Sequence, residues 1–158
     1  MVLKESREDK FRRISKARLK KVHQIMLQIQ NLSSRRFYDY NENEINELFE
    51  AYENKGKEIY AFFCGKASLE KELDDTFVFF NKPNSENIKQ IKFHELAEMR
   101  LSKCFKITNT LIHLSNKKNY SYELDIEVKE LFKAYYEIGL VTRSKFQPNI
   151  IIDRLFEK

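Results

Sequence analysis

The sequence predicts an all-α protein in which two tandem copies of a helical hairpin pack as a four-helix arrangement, with a short packed connector. The chain has only three Gly and two Pro in 158 residues, apolar residues recur at helical spacing, and the N-terminal half is repeated in the C-terminal half. So few helix breakers favour long helices over a many-turned β fold. A hydrophobic content of 42% allows a packed core without disulfides.

The first helix of each copy is predicted from an amphipathic stripe. From Phe11 to Leu32 the stripe advances in steps of three or four residues, and the same steps recur from Phe93 to Leu114. This spacing places the residues on one face of a helix. Corresponding residues of the two stripes lie 82 positions apart, so the chain contains an internal repeat.

The second helix of each copy follows a short polar loop, at residues 33–40 and 115–122. Asp39 and Ser121 are expected to cap it, because a side-chain oxygen can accept a free backbone N–H. The two apolar faces match at an offset of 83, which indicates one inserted residue in the second copy. Two hairpins packed together can bury both faces. The face residues are Ile45, Leu48, Phe49 and Tyr52, then Val128, Leu131, Phe132 and Tyr135.

These patterns divide the chain into a first hairpin repeat at 1–64, a connector at 65–92, a second repeat at 93–147 and a C-terminal tail at 148–158. Gly65 is expected to end a helix, and residues 68–75 look helical. The β-branched and aromatic run from Thr76 to Phe80 is interpreted as packed connector, with a short strand as the alternative. Pro148 is expected to end the last long helix, and the apolar tail to dock on the core.

The residue content argues against catalysis and points to the cytoplasm. No nucleophile with a partnered base, no metal-like histidine spacing and no Gly-rich phosphate loop is visible, so no enzyme activity, cofactor, metal or small-molecule substrate is expected. Cys64 and Cys104 are predicted to be small buried hydrophobes in a reducing compartment. The start of the chain is too charged for a signal peptide, and no apolar run is long enough to span a bilayer.

Charge is distributed unevenly over a chain of net charge +5, with +7 in residues 1–41, −4 in 42–92 and +2 in 93–158. A basic face opposite the first apolar stripe is either a phosphate-binding surface or an ordinary solvated face. It comprises Lys10, Arg12, Arg13, Lys16, Lys20 and Lys21, extended into the loop by Arg35 and Arg36. An acidic second helix is a candidate for contact with a basic protein surface, through Glu42, Glu44, Glu47, Glu50 and Glu53.

Two arginines and four tyrosines are interpreted as structural. Arg18 and Arg100 lie at the centre of their apolar arcs, where a charge has to be paired. We expect each to bond its own loop, through a Tyr hydroxyl or a carbonyl near Leu32 or Leu114. The loop tyrosines are expected to pack their rings and to use their hydroxyls on backbone; they are Tyr38, Tyr40, Tyr120 and Tyr122.

A short motif in both copies resembles small helical proteins of phages and mobile elements of low-GC Gram-positive bacteria. In the first copy it reads Arg13-Ile-Ser-x-x-Arg18, Asn31-Leu-Ser33 and Tyr38-x-Tyr40, and in the second it runs from Leu114 to Tyr122. The size and composition are similar to those of staphylococcal anti-CRISPR inhibitors of type II CRISPR nucleases. The resemblance implies a stoichiometric inhibitor that docks on an effector nuclease. The alternatives are an accessory DNA- or RNA-binding protein that uses the basic first helix, and an interaction module of a phage particle.

Overall fold

The computed structural model describes residues 4–67 and 73–146, and it confirms the all-helical prediction, with no strand in these ranges. Short 3₁₀ turns follow α1 and α3, at Asn31–Ser33 and Thr110–Ser115. Residues 73–75 of the expected helix at 68–75 are not helical. Its other residues, Pro148 and the predicted tail lie outside the described residues. The four long helices are α1 (Arg7–Gln30), α2 (Glu42–Phe63), α3 (Ile88–Asn109) and α4 (Lys129–Ser144).

The ends of α2 are set by local side-chain chemistry. Asn41, and not Asp39, is the N-cap, and it forms a capping box in which its side chain accepts from the Glu44 N–H at 2.8 Å. At the other end, Gly65 follows the last turn of α2, as expected for the residue that ends the helix, and it adopts a left-handed backbone with φ of +71°. Asp39 instead accepts a hydrogen bond at 2.7 Å from Asn87, the N-cap of α3.

The inserted residue of the second copy is absorbed by a π-helical turn at Leu124–Val128, immediately before α4. A π turn adds one residue to a helix without moving the residues beyond it to another face. The expected cap Ser121 therefore lies outside the helix, whose first turn follows Glu123. Glu127 Oε1 accepts from the Glu123 N–H at 3.3 Å, which corresponds to the Glu44 contact with the Asn41 N–H in the first copy.

The most extensive helix contacts in the described ranges join the two copies to each other. Helix α1 packs on α3 and α4, and α2 packs on the same two helices. Many of these contacts occur twice, with the roles of the copies exchanged. Such reciprocity is what an approximate two-fold axis between two similar units produces.

At this axis the rings of Tyr52 and Tyr135 stack face to face, with centroids 4.2 Å apart and planes at 10°. Each hydroxyl donates to the backbone carbonyl of the other tyrosine, at 2.5 and 2.8 Å. Burial raises the pKa of both phenols, so both remain protonated donors. The pair is therefore fully hydrogen-bonded in the centre of the core.

Glycine is required beside both rings of this pair. A Cβ atom on Gly56 would lie 2.4 Å from the Tyr135 ring, and one on Gly139 would lie 2.6 Å from the Tyr52 ring. These separations are far below van der Waals contact. The two glycines, 83 positions apart, thus allow α2 and α4 to approach closely enough for the tyrosines to stack.

The two buried-face arginines also bond across the copies. Arg18 donates to the carbonyl of Thr110 and Arg100 to that of Gln28, both at 2.7 Å. The expectation that each arginine bonds its own loop is wrong, because the acceptor lies in the other copy, one helical turn before the predicted carbonyl. Each arginine satisfies a carbonyl at the C-terminal end of α1 or α3, where helix carbonyls lack partners.

The loop tyrosines hold the turn after each first helix. Tyr40 donates to the carbonyl of Ser33 at 2.7 Å, and Tyr122 donates to that of Ser115 at 2.9 Å. Their rings reach the other copy, with Tyr40 5.3 Å from Phe93 and Tyr122 5.1 Å from Phe11 between centroids. Each loop is therefore fastened both to its own backbone and to the opposite hairpin.

The connector is packed, as predicted, and residues 76–80 form no strand. Phe77 and Phe79 are buried, whereas Val78 and Phe80 are 65% and 91% exposed. Side chains of the bundle take the place of a partner strand and accept the backbone N–H groups. The acceptors are Ser102 for Phe77, Glu98 for Phe79 and Glu47 for Phe80, at 2.7–2.9 Å.

The tyrosine contact generates a first prediction. Gly56→Ala and Gly139→Ala should each lower the free energy of unfolding by about 1–3 kcal/mol, because the added methyl overlaps a buried ring. Urea denaturation followed by circular dichroism measures this. The control is Asn54→Ala, at an exposed position of the same helix, which should change stability little. Equal midpoints for Gly56→Ala and the control would contradict the close packing.

The arginine contact generates a second prediction. Arg18→Ala should lower the free energy of unfolding by roughly 1–2 kcal/mol, because the Thr110 carbonyl loses its charged donor. Thermal melts of the variant, compared with those of an exposed Lys20→Ala control, measure the effect. A variant that melts like the parent would show that the hydrogen bond contributes nothing to folding.

Candidate partner-binding face

An open aromatic cavity of about 350 Å³ lies between α2 and α4, beside the tyrosine stack. We call it the α2–α4 cavity. Its floor is aromatic, and the Tyr60 and Phe132 rings meet edge to face with centroids 5.4 Å apart. It is lined by Glu53, Gly56, Lys57, Tyr60, Lys129, Phe132, Lys133, Tyr135 and Tyr136.

Three lysines surround the mouth of the cavity and give it a positive edge. Lys57 pairs with Glu53 at 3.3 Å, and Lys129 pairs with Asp125 at 3.5 Å. Lys133 is exposed. Such surface pairs are weak and exchange readily for another carboxylate. The cavity therefore combines an apolar interior with cationic groups that suit an acidic neighbour.

The two-fold-related mate of this cavity is nearly closed, with a volume of about 30 Å³. The equivalent of Lys57 there is Leu140, and the equivalent of Tyr60 is Arg143. The Arg143 guanidinium reaches across to hydrogen-bond Asn46. Because the two-fold-related helices pack in the same way around the nearly closed mate, the fold does not require the α2–α4 cavity to be open.

Exposed apolar side chains continue from the cavity along α4. Tyr136 is 43% exposed and Leu140 49% exposed. Aromatic residues with one polar end are enriched where proteins meet other proteins. Of the residues that line the cavity, only Glu53 was a candidate binding residue in the sequence, because α2 and α4 each contribute only part of the site. The available signal was Gly56 and Gly139 at matched positions in helices that otherwise avoid glycine.

Several of the basic residues predicted to bind a partner are engaged within the protein. Arg12 bonds Glu127, and Arg13 bonds Glu5, both at 2.9 Å. These hydrogen bonds raise the pKa of each arginine, and the one from Arg13 lowers the pKa of Glu5. Both arginine side chains remain more than half exposed, so a phosphate could still displace these carboxylates from them.

Other members of the basic group contact aromatic rings. The Lys10 ammonium lies 5.3 Å from the Tyr120 ring centroid, and the Arg35 guanidinium lies 3.9 Å from that of Tyr40. Arg35 also donates to the Tyr40 carbonyl at 2.8 Å, so it supports the loop. Arg36 lies over exposed Phe37. The residues that remain exposed on the basic face of α1 away from such contacts are Lys16, Lys20 and Lys21.

Glu44 is buried, so its assignment to an acidic partner-facing surface is wrong. Besides its role in the capping box, it bonds buried His94 of α3. The two-fold-related pair is Arg12 with Glu127, so both copies place a basic and an acidic side chain at this contact. The sequence interpretation missed His94 as a core residue, and its match to exposed Arg12 at an offset of 82 gave no sign of its burial.

The remaining acidic candidates do not form one surface either. Glu47 accepts the Phe80 N–H at 2.7 Å and so belongs to the connector contact. Glu53 lines the α2–α4 cavity, while Glu42 and Glu50 are exposed. The other two loop tyrosines, Tyr38 and Tyr120, are half-buried, and their rings pack at the edges of the two hydrophobic clusters.

Neither a metal-binding cluster nor a membrane-spanning helix is found in the described ranges. Residues 4–67 and 73–146 contain no group of three or more His, Cys, Asp or Glu side chains placed to hold a metal ion. Within those ranges, no helix combines the length and the apolar character needed to cross a bilayer.

Comparison with known proteins adds no relative to these observations. No family model, no curated protein and no solved structure matches the chain. Its function therefore has to be inferred from its own residues.

The two cysteines generate a third prediction. Cys104 is fully buried, and burial raises the pKa of its thiol to about 12, whereas Cys64 is half-buried. At about pH 8 a thiol reagent should therefore modify Cys64 in the native protein and reach Cys104 only after unfolding, because the thiolate is the reactive form. Ellman titration of the parent and of Cys64→Ser measures this. Rapid native modification in Cys64→Ser would contradict the burial of Cys104.

Proposed function

We propose that this protein is a non-enzymatic, stoichiometric binding protein that docks on a protein partner through the α2–α4 cavity. The observation that carries the proposal is the open aromatic cavity with its lysine edge, whose two-fold mate is closed. The partner is expected to insert an apolar side chain between Tyr60, Phe132 and Tyr136. Acidic groups beside that side chain would replace the weak surface pairs of the three lysines.

The sequence resemblance indicates which partner to test first. On this resemblance we propose an anti-CRISPR inhibitor, carried by a phage or mobile element and acting in the cytoplasm. In this proposal it occupies a surface of a type II CRISPR effector nuclease and thereby blocks DNA cleavage. The basic net charge argues against global imitation of DNA, so a local contact such as the cavity has to provide the binding energy.

The second candidate is binding of DNA or RNA through α1, using Lys16, Lys20 and Lys21. Three exposed lysines on one helix favour it. Arg12 and Arg13 lie on the same helix and bond carboxylates, which a phosphate would have to displace. Each phosphate contact contributes about one unit to the salt dependence of binding, so few contacts give a shallow dependence.

Two matched double variants form a fourth prediction and separate these functions. Lys129→Glu with Lys133→Glu reverses the cavity edge, and Lys16→Glu with Lys20→Glu reverses the same charge on α1. All four positions are exposed, so the fold should persist. Added at near-equal concentration to an assembled type II nuclease, the parent and the α1 variant should block target cleavage. The cavity variant should need at least about ten times more protein, since like charges then face the partner.

Two other outcomes would contradict the proposed use of the α2–α4 cavity. If the α1 variant loses inhibition and the cavity variant keeps it, the partner does not use the cavity. If the parent leaves the nuclease fully active but binds duplex DNA or RNA with an affinity that falls as salt rises, the nucleic-acid function replaces this proposal. A mobility-shift titration at several salt concentrations makes that measurement.

A further inference from the structure

The two-fold relation between the copies pairs two grooves of the bundle. The first lies between α2 and α3 and is filled by connector residues 73–80; we call it the connector groove. Phe77 and Phe79 are buried in it, with the Phe79 ring 5.8 Å from that of Phe93. The second, the open groove, lies between α1 and α4. No residue of the described ranges fills it in the way that the connector fills its mate.

The open groove has a volume of about 300 Å³ and exposes apolar side chains. Leu27 is 45% exposed and Val141 is 59% exposed. The groove is lined by His23, Leu27, Gln30, Ala134, Glu137, Ile138, Val141 and Thr142.

Differences between the two grooves indicate which kind of side chain would fit the open groove. In the connector groove the carbonyl of Asp74 accepts from Lys55 at 2.7 Å and from Asn109 at 3.1 Å. The equivalent positions in the open groove are Ile138 and Leu27. A polar clamp on backbone has thus become an apolar contact, so the open groove suits an occupant with larger apolar side chains.

The sequence repeat extends past the second hairpin into residues with such side chains. At the same offset of 83, the segment from Leu69 to Asp74 (Leu-Glu-Lys-Glu-Leu-Asp) matches that from Ile152 to Glu157 (Ile-Asp-Arg-Leu-Phe-Glu). Five of the six positions keep their class, in the order apolar, acidic, basic, apolar and acidic. The only class change replaces a glutamate by Leu155, and Phe156 replaces the smaller Leu73.

We propose that residues 147–158 occupy the open groove as the connector occupies its mate, with Phe156 at the position equivalent to Leu73. In the first copy, Leu73 borders Asn109 and Ile112. The equivalents of these residues are Leu27 and Gln30, which both line the open groove. Burying Phe156 there removes its ring and the exposed Leu27 from water. This docking is independent of the proposed nuclease contact, which uses a different pair of helices.

A spin label tests the docking in the intact chain. A nitroxide is attached at Lys158→Cys in a Cys64→Ser background, where Cys104 is buried, and methyl resonances of Leu27, Val141 and Val78 are recorded. The label should broaden Leu27 and Val141 far more than Val78, which lies in the connector groove. Equal broadening at all three methyls would overturn the proposal. As a control, labelled protein without visible methyls is mixed with unlabelled protein whose methyls are visible. If the broadening disappears in this mixture, the docking is intramolecular. If the broadening survives, the tail of another molecule fills the groove and the proposal is overturned.

Two neighbouring substitutions test the register. With the same label, Phe156→Ala should reduce the broadening of Leu27 to the level seen at Val78. Leu155→Ala, at the position matched to an acidic connector residue, should leave most of it. Comparable effects of both substitutions, or none from Phe156→Ala, would overturn the assignment of Phe156. Circular dichroism of each variant confirms that the bundle remains folded during the comparison.

Discussion

The face-to-face contact of Tyr52 with Tyr135 is the constraint on which the arrangement of the bundle depends. It fixes the distance between α2 and α4, because both rings fit only where Gly56 and Gly139 leave room for them. It also fixes their relative position along the axes, since each hydroxyl has a single backbone acceptor in the other copy. A buried hydroxyl without a partner costs free energy, so a sliding movement of one helix is resisted.

Most features that depend on near neighbours in the sequence could be predicted, although the local caps Asp39 and Ser121 were wrong. Features that depend on the opposite copy could not be predicted. Periodicity located all four helices, and Gly65 was expected to end α2 because glycine is a helix breaker. The acceptor of Arg18 was misplaced by one helical turn and by one copy, because no local pattern encodes which chain segment lies opposite. Glu44 was taken for a surface residue for the same reason, since its burial is created by His94, fifty positions away.

The candidate site arises where the copies differ, while the packing arises where they agree. Tyrosine, glycine and arginine recur at matched core positions of the two copies, and these residues hold the helices in their arrangement. Around the α2–α4 cavity, Lys57 is matched by Leu140 and Tyr60 by Arg143. A two-fold fold thus presents two surfaces with different chemistry. Under the proposed function, this difference leaves one docking face instead of two equivalent ones, which suits a one-to-one complex.

The reciprocal packing of the copies also governs how the chain assembles with itself. The first hairpin of one molecule offers the second hairpin of another the same surface that it offers its own. The connector decides between these pairings, because it keeps the two hairpins at an effective concentration on the order of millimolar. A connector too short to span the bundle would leave every core contact available only between molecules. The same core contacts would then form between two chains, as in a domain-swapped dimer.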